Sequence, residues 1–202
     1  MTGWPKNVSG RVGKAMSSDG AVLPWKDSES VTALETRVFR VVQKTATSRV
    51  NPTLSGTFSL LECPNWVNVI ATTPEDQVLL IRQHRHGVAE ITIEIPGGMV
   101  DGDEAYIEAG LRELLEETGY AGEEAVVIGE VQPNPAIQDN CCGTVWVRNC
   151  KRVSEGDLDA HEEIDVFLAS MQEVEEMMRT GDIKHALVLA AFQHLTLRQA
   201  HP

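Results

Sequence analysis

The chain has 202 residues, a formal net charge of −13 and a pI near 4.8. Such an acidic chain disfavours sequence-independent binding to nucleic acid or to anionic membranes, because both depend on basic patches. The hydrophobic fraction of 42% is enough for one domain with a core plus an appendage. The longest apolar run near the C-terminus, residues 186–192, is too short to span a bilayer, and the N-terminus lacks a signal-peptide core. We therefore expect a cytoplasmic protein with a small phosphorylated substrate.

The N-terminal third divides into two predicted parts. Residues 1–35 are rich in Ser, Gly, Lys and Pro and show little periodicity, which predicts an N-terminal arm. Within it, Trp4 and Trp25 favour packing on a neighbouring surface over stacking on a substrate. From 36 to 63, two runs of β-branched and aromatic residues alternate with polar ones, which predicts a small N-terminal antiparallel sheet. The main domain is expected over residues 64–202.

The next three predicted strands precede the loop at Pro96-Gly97-Gly98. Residues 66–72 and 77–83 are predicted core strands joined by a turn. Residues 90–95 alternate strictly between apolar and polar side chains, which predicts a strand that ends at Pro96-Gly97-Gly98.

The segment 98–120 predicts a helix with three carboxylates on one face. An α-helix advances about 100° per residue, so Glu116 and Glu117 fall within roughly 60° of Glu113. The opposite side is expected to hold the apolar residues Ile107, Leu111, Leu114 and Leu115. Like charges at i, i+4 cost only about 0.2–0.5 kcal/mol, so this spacing by itself fits a solvated acidic face or a metal site about equally.

Both ends of this helix carry capping signals. Asp101 and Glu104 have the spacing of a capping box, and Asp103 is an alternative cap. Gly119 suits the left-handed position just after a helix. The rest of the chain predicts strands at 125–131, 143–149 and 165–168 and helices at 171–180 and 183–198.

The residues of this helical segment follow a fixed spacing. The pattern is Gly98, five residues, Glu104, seven residues, Arg112-Glu113-Leu114, one residue, Glu116-Glu117, one residue, Gly119-Tyr120. It matches the fixed positions of the Nudix box, and the chain resembles Nudix hydrolases, which split nucleoside diphosphates linked to another moiety. The resemblance implies an α/β fold, the Nudix α/β/α sandwich with a mixed central sheet.

The resemblance also implies a metal site. Glu113, Glu116, Glu117 and the main-chain carbonyl of Gly97 are expected to bind metal, and Arg112 is expected to orient the acids. A diphosphate adds about two negative charges to a site with three carboxylates, so two or more divalent ions are required. Oxygen ligands favour Mg²⁺, with Mn²⁺ as an alternative.

Local matches over residues 36–197 resemble the ADP-ribose and nucleoside-diphosphate-sugar pyrophosphatases. They are Gln83-His84-Arg85, the segment 94–98 (Glu-Ile-Pro-Gly-Gly) and a marker proline at Pro135. By this resemblance Arg85 contacts substrate phosphate and Glu94 lies by the substrate; a sheet-edge ion pair is the alternative for Arg85. Departures from the group's pattern, among them His84 for tyrosine, leave the base and sugar open.

The resemblance implies Mg²⁺-dependent hydrolysis of ADP-ribose or a related nucleoside-diphosphate-sugar to a nucleoside monophosphate and a sugar phosphate. Alternatives are a non-catalytic ADP-ribose-binding regulator and a Nudix enzyme with another nucleotide substrate. Retention of all box acids favours catalysis. The group's members are typically homodimers joined through their N-terminal sheets, so a homodimer is expected here.

The catalytic base is expected outside the box, on the acidic loop before the strand at 165–168. Glu162 and then Glu163 are the candidates for metal ligand or base, with a solvated acidic turn about equally plausible, and Arg112 and Glu116 complete the predicted catalytic group. His161 is a weaker candidate because imidazole titrates near neutrality.

Cysteine and histidine residues give no further metal site in the sequence. The four cysteines lack the spacing of a zinc site and are expected to be reduced. His84 and His86 have no third donor near them in the sequence, so we do not interpret them as ligands.

Overall fold

The structure is a computed structural model that describes residues 22–158 and 163–200. It contains two compact units. The first comprises residues up to Pro64 together with Asn134–Asp139, and the second comprises Asn65–Pro133 together with the residues from Asn140 onward.

The first unit is an antiparallel four-stranded sheet. Its strands are β1 (Lys26–Asp27), β2 (Val31–Glu35), β3 (Arg40–Thr47) and β4 (Ser55–Glu62). Both β1 and β2 pair with β3, which also pairs along its length with β4. The sheet therefore includes two strands that lie before the predicted boundary at residue 36. Trp25, next to β1, stands edge-on to the ring of Phe58 with centroids 5.9 Å apart.

The second unit contains nine strands and three helices among the described residues. They are β5 (Trp66–Ala71), β6 (Gln77–Arg85), β7 (Glu90–Glu94), β8 (Gly97–Met99), α1 (Tyr106–Thr118), β9 (Tyr120–Ala121), β10 (Glu124–Val131), β11 (Cys142–Arg148), β12 (Lys151–Arg152), β13 (Ile164–Ser170), α2 (Met171–Thr180) and α3 (Ala186–Ala200). One sheet has the order β10-β11-β5-β8, in which only β11 and β5 run parallel, so it is mixed. A second has the order β13-β6-β7, and β9 pairs with β12.

The second unit buries both faces of its strands. On β5 and β6, Val69 and Leu79 belong to one apolar cluster with Leu114 of α1. The neighbouring strand residues Ile70 and Leu80 belong to the other cluster, which includes α2 and α3. Because successive strand residues point to opposite faces, a helix layer covers each side. This confirms the predicted α/β/α sandwich with a mixed sheet and an additional antiparallel sheet.

The ends of α1 confirm one capping prediction and correct the other. Gly119 ends the helix in the left-handed conformation, with φ 73°, and its N–H donates to the Leu115 carbonyl at 2.9 Å. The N-cap is Ala105, whose N–H donates to Glu108 Oε2 at 3.0 Å, and not Asp101 or Asp103. The helix begins later than predicted because the chain first makes a turn at 102–103.

The polarity of α1 also differs from the prediction. Its buried residues are Ala109, Gly110, Leu114, Glu117 and Thr118. Leu115 is 41% exposed although it was expected in the core, and Glu117 is only 7% exposed although it was expected on an open acidic face. The small residue Gly110 lets α1 approach the sheet closely, and Glu117 is directed to the backbone of β8.

The connection to α3 is longer than predicted. Ile183 is buried and its N–H donates to the Met177 carbonyl at 3.0 Å, which closes the end of α2. The carbonyl of His185 then accepts from Val188 and Leu189 at 3.0 and 3.1 Å. The helix therefore begins at Ala186 and not at residue 183.

Two leucines on α1 give a test of this packing. Leu114→Ala should lower the free energy of unfolding by about 2–5 kcal/mol, because Leu114 is fully buried between α1 and the sheet. Leu115→Ala is the matched control and should change it by less than about 1 kcal/mol. Urea unfolding measures both, and equal losses would contradict the orientation of α1.

Candidate active site

Arg112 connects the acids of α1 and the preceding loop. Its Nε and Nη2 donate to the two carboxylate oxygens of Glu104 at 3.2 and 3.0 Å. Its Nη1 donates to Glu113 Oε1 at 2.9 Å and to Glu116 Oε2 at 3.1 Å, and Nη2 also reaches the Met99 carbonyl at 3.0 Å. The bonds to Glu104, followed by those to the helix acids, raise the pKa of Arg112 above its ordinary value. The guanidinium therefore remains charged and orients three carboxylates.

Glu117 is held separately from the other helix acids. Its Oε2 accepts a hydrogen bond from the backbone N–H of Gly97 at 2.9 Å. This contact joins α1 to β8 and brings together two of the residues predicted to bind metal. The role of the Gly97 carbonyl as a ligand stays a prediction.

The backbone of Gly98 lies directly against Glu113. A Cβ at this position would overlap the Glu113 carboxylate. A larger residue would therefore displace the Glu113 carboxylate from the position in which Arg112 holds it.

The donors on α1 fit a hard divalent cation by their chemistry. Glu113, Glu116 and Glu117 each offer carboxylate oxygens, and a hydrogen bond from Arg112 or Gly97 orients one oxygen of each. Within residues 22–158 and 163–200, however, no three His, Cys, Asp or Glu side chains converge into a ligand cluster. Arg112 donates to both Glu113 and Glu116, and Glu117 is directed to the backbone of β8.

Arg85 and Glu94, the two predicted substrate contacts on β6 and β7, form an ion pair. Arg85 Nε and Nη2 donate to the two oxygens of Glu94 at 2.9 and 2.7 Å, and the Thr92 hydroxyl donates to Glu94 Oε1 at 2.7 Å. Glu94 is 2% exposed, whereas the Arg85 side chain is 44% exposed. Burial raises the pKa of Glu94, but the bonds from Arg85 and Thr92 outweigh it and hold the pKa below its usual range. The geometry matches the ion-pair alternative for Arg85.

The other predicted site residues do not belong to the two hydrogen-bonded networks described above. Pro135 lies in the turn 134–139, which belongs to the first unit, whereas the remaining described site residues belong to the second. Glu162 and His161 lie outside the described residues. Glu163 is exposed and directly precedes β13.

Two residues that sequence reasoning missed influence the Glu94 carboxylate. Thr92 bonds to it, and strict alternation along β7 contained that signal, because Thr92 shares a strand face with Glu94. His185 lowers the pKa of Glu94 through its charge, although 91 positions of sequence separate the two. No local pattern connects His185 with β7, so only the fold reveals it.

The sandwich and its acid-bearing loop and helix define a hydrolase class. Residues 64–192 match the family model described as NUDIX domain, so the chain belongs to the Nudix hydrolases, as the box predicted. The chain is similar to the ADP-ribose pyrophosphatase of Bacillus subtilis (strain 168), with 25% identity over 142 residues that cover 70% of this chain and 77% of that protein. It is also similar to the methanol dehydrogenase activator of Bacillus methanolicus, with 28% identity over 138 residues, 68% of this chain and 75% of that one.

A solved structure shows the same fold. The crystal structure of an ADP compounds hydrolase superposes with a TM-score of 0.76 and 16% identity, covering 87% of this chain and 94% of the other. None of the helices described here is long and apolar enough to cross a membrane.

The close approach at Gly98 predicts a local defect. Gly98→Ala should lower turnover by about 10–100-fold. The added methyl group displaces the Glu113 carboxylate, and a misplaced group at a reactive centre reduces the rate by about that factor. Gly87→Ala is the matched control, since a Cβ there meets no atom within 4 Å. Hydrolysis rates measure the effect, and equal rates in the two variants would show that Glu113 tolerates displacement.

The depressed pKa of Glu94 predicts an acid-sensitive contribution to stability. A carboxyl whose folded-state pKa lies below its unfolded value of about 4.3 stabilises the fold above that pH, and the contribution is lost as pH falls through the folded value. At neutral pH, Glu94→Gln should lower the free energy of unfolding by about 1–3 kcal/mol. This difference should shrink below about pH 4. Unfolding curves at several pH values measure it, and a difference that stays constant with pH would refute the assignment.

Proposed function

We propose that this Nudix hydrolase cleaves the diphosphate bond of ADP-ribose, or of a related nucleoside-diphosphate-sugar, to a nucleoside monophosphate and a sugar phosphate in a Mg²⁺-dependent reaction. The observation that carries the proposal is the network in which Arg112 binds Glu104, Glu113 and Glu116 while Gly97 orients Glu117. The substrate class is supported by the B. subtilis relative, which is named an ADP-ribose pyrophosphatase.

The acids of α1 serve as ligands in this proposal. Glu113, Glu116, Glu117 and the Gly97 carbonyl would hold two or more Mg²⁺ ions, with Mn²⁺ as an alternative. When bound, divalent ions offset the charge of the diphosphate and lower the pKa of the attacking water. Arg112 keeps the carboxylates oriented, since it donates to both Glu113 and Glu116.

Substrate recognition involves the Arg85–Glu94 pair. The guanidinium of Arg85 is partly exposed and suits bidentate binding to phosphate oxygens. Glu94 fixes its orientation from the buried side. We also assign Pro135 to the substrate site, on the basis of its place in the family pattern.

Glu162 is the proposed base for the attacking water, with Glu163 as second candidate. The described chain on either side supports this assignment. The N–H of Asp157 donates to the Glu116 carbonyl at 2.8 Å, and Ile164 pairs with Gln83, two residues before Arg85 on the same strand. The described chain thus contacts the acid-bearing helix at Asp157 and pairs with the strand of Arg85 from Ile164 onward.

A homodimer formed through the N-terminal sheets is part of the proposal. That sheet carries an apolar hollow of about 310 Å³ lined by Trp25, Ala46, Phe58 and Leu60 with Lys44. Exposed apolar surface of this kind favours an interface. We assign the enzyme to the cytoplasm, on the basis of the family resemblance and the acidic composition of the chain, and propose no nucleic-acid or membrane partner.

A regulatory role is the second candidate. It is supported by the similarity to the B. methanolicus protein, whose name describes an activator of another enzyme. Retention of Glu113, Glu116 and Glu117 favours catalysis, since a binding role alone does not require a full set of metal-binding acids.

The experiment that tests the function is a product screen with Mg²⁺ over ADP-ribose, nucleotide-sugars, dinucleotides and nucleoside triphosphates. Release of AMP and ribose phosphate from ADP-ribose is expected. Glu116→Gln and Glu117→Gln should each lower turnover by about 10²-fold or more without loss of fold, because each removes a ligand charge. The proposal would be refuted if none of the tested diphosphates were cleaved, or if both variants kept the wild-type rate.

The base assignment has its own test. Glu162→Gln should lower kcat by about 10²–10⁴-fold with little change in KM, because an amide cannot accept the proton of the attacking water. Glu155→Gln is the matched control, since its side chain is 91% exposed and pairs with Arg152 on the surface. An unchanged kcat in Glu162→Gln would transfer the role to Glu163.

A further inference from the structure

The C-terminal end of α1 is crossed by the main chain of residues 153–157, which we call the crossing segment. The first two residues of this segment donate their N–H groups to the Gly119 carbonyl, at 2.8 and 3.1 Å. The N–H of Asp157 donates to the Glu116 carbonyl at 2.8 Å. Three main-chain hydrogen bonds therefore attach the crossing segment to the end of the helix.

The bond from Asp157 completes the last turn of α1. An α-helix leaves its final carbonyl groups without partners inside the helix. The residue four positions after Glu116 is Tyr120, and its N–H donates to the Thr118 hydroxyl at 3.1 Å. The Glu116 carbonyl is thus satisfied from outside the helix, by the crossing segment.

Two glycines make this close approach possible. Gly119 and Gly156 have φ angles of 73° and 83°, in the left-handed region that favours glycine. A Cβ on Gly156 would lie 2.8 Å from the Glu116 carbonyl oxygen, and a Cβ on Gly119 would overlap the Ser154 carbonyl. Main chain therefore packs directly on main chain, and neither side can move away as the end of a flexible side chain would.

Glu116 is held at both ends by these contacts. Arg112 Nη1 donates to its carboxylate at 3.1 Å, and Asp157 binds its carbonyl at 2.8 Å. The Glu116 side chain is still 45% exposed, so its carboxylate is open to a further ligand. A shift of the main chain at this residue would move the carboxylate relative to Glu113 and Glu117, and metal sites depend on the groups that orient their ligands.

We propose that Gly156 is a positioning residue for the metal ligand Glu116. Because Gly156 has no Cβ, the crossing segment can close the last turn of α1 and keep the Glu116 carboxylate in place beside the other helix acids. The inference rests on the proposed function, which assigns Glu116 to a divalent cation. It adds to the site a residue that lies outside the box pattern.

The first test compares two glycines that share a backbone conformation. The φ angle of Gly181 is 85°, so alanine brings similar strain at positions 181 and 156, but a Cβ on Gly181 meets no atom within 4 Å. Mn²⁺ is titrated into the metal-free full chain, and the Kd is measured from the EPR signal of the free ion. Gly156→Ala should raise this Kd about tenfold, as is typical when a group that supports a metal ligand is disturbed, and Gly181→Ala should leave it unchanged. Equal Kd values in the wild type and Gly156→Ala would overturn the inference.

The second test uses only the wild type, so it does not depend on the folding of a variant. Coupling between two events is reciprocal: if closure of the turn strengthens metal binding about tenfold, bound metal strengthens the closure by the same factor. Exchange of the Asp157 amide hydrogen, followed by NMR, should therefore be about tenfold slower with saturating Mg²⁺ than without metal. Glu155, with a side chain that is 91% exposed, gives the internal control, and its amide exchange should not change. The same Asp157 exchange rate with and without Mg²⁺ would overturn the inference.

Asp157→Ala separates the main chain of the crossing segment from its side chains. The bond to Glu116 uses the N–H of Asp157, so this variant should keep the wild-type Mn²⁺ Kd. A Kd as weak as the one expected for Gly156→Ala would show that the Asp157 carboxylate acts on the metal, and this result would also overturn the inference.

Failure of the proposed function has a different signature. In that case the wild type itself binds no Mn²⁺ and cleaves no diphosphate, and the inference is lost with the function. A wild type that binds Mn²⁺ no better than Gly156→Ala overturns the role of Gly156 alone and leaves the proposed function standing.

Discussion

Like-charge repulsion among the carboxylates of α1 is the constraint on which the site depends. Two carboxylates about 4 Å apart repel each other by roughly 4 kcal/mol at an effective dielectric of 20. Arg112 offsets this repulsion with its single guanidinium. Two of its nitrogens donate to Glu104, and the third donates to both Glu113 and Glu116. The folded chain can therefore hold its acids in order before any cation binds. A lysine at position 112 could not make the same set of hydrogen bonds, because a single ammonium lacks the planar fork of donors.

Close packing of backbone against helix is the second requirement. The N–H of Gly97 bonds to Glu117, and Gly98 leaves space that the Glu113 carboxylate occupies. Small residues on α1, among them Gly110, allow the helix to approach the sheet at contact distance. The fold and the chemistry thus use the same residues, and this explains why glycines and acids occur together in one short segment.

The buried Glu94 depends on the polar groups of β6 and β7 around it. Arg85 donates to both of its carboxylate oxygens, and the Thr92 hydroxyl donates to one of them. A buried carboxylate that loses such a partner is strongly destabilising. Arg85 therefore stabilises the charge of Glu94 from the strand edge while its own side chain stays partly exposed.

The sequence by itself determined the local features of this protein. Helical spacing and the box pattern predicted α1, its acids and the Gly119 cap, and alternation predicted β7, because these signals come from neighbours within a few residues. The family followed from the same segment. Only the tertiary structure decided that Glu117 turns inward while Leu115 faces solvent, and that Arg85 and Glu94 form a pair. These facts depend on how α1 packs on the sheet and how β6 pairs with β7. Both are set by contacts between residues apart in the chain, on which no local pattern reports.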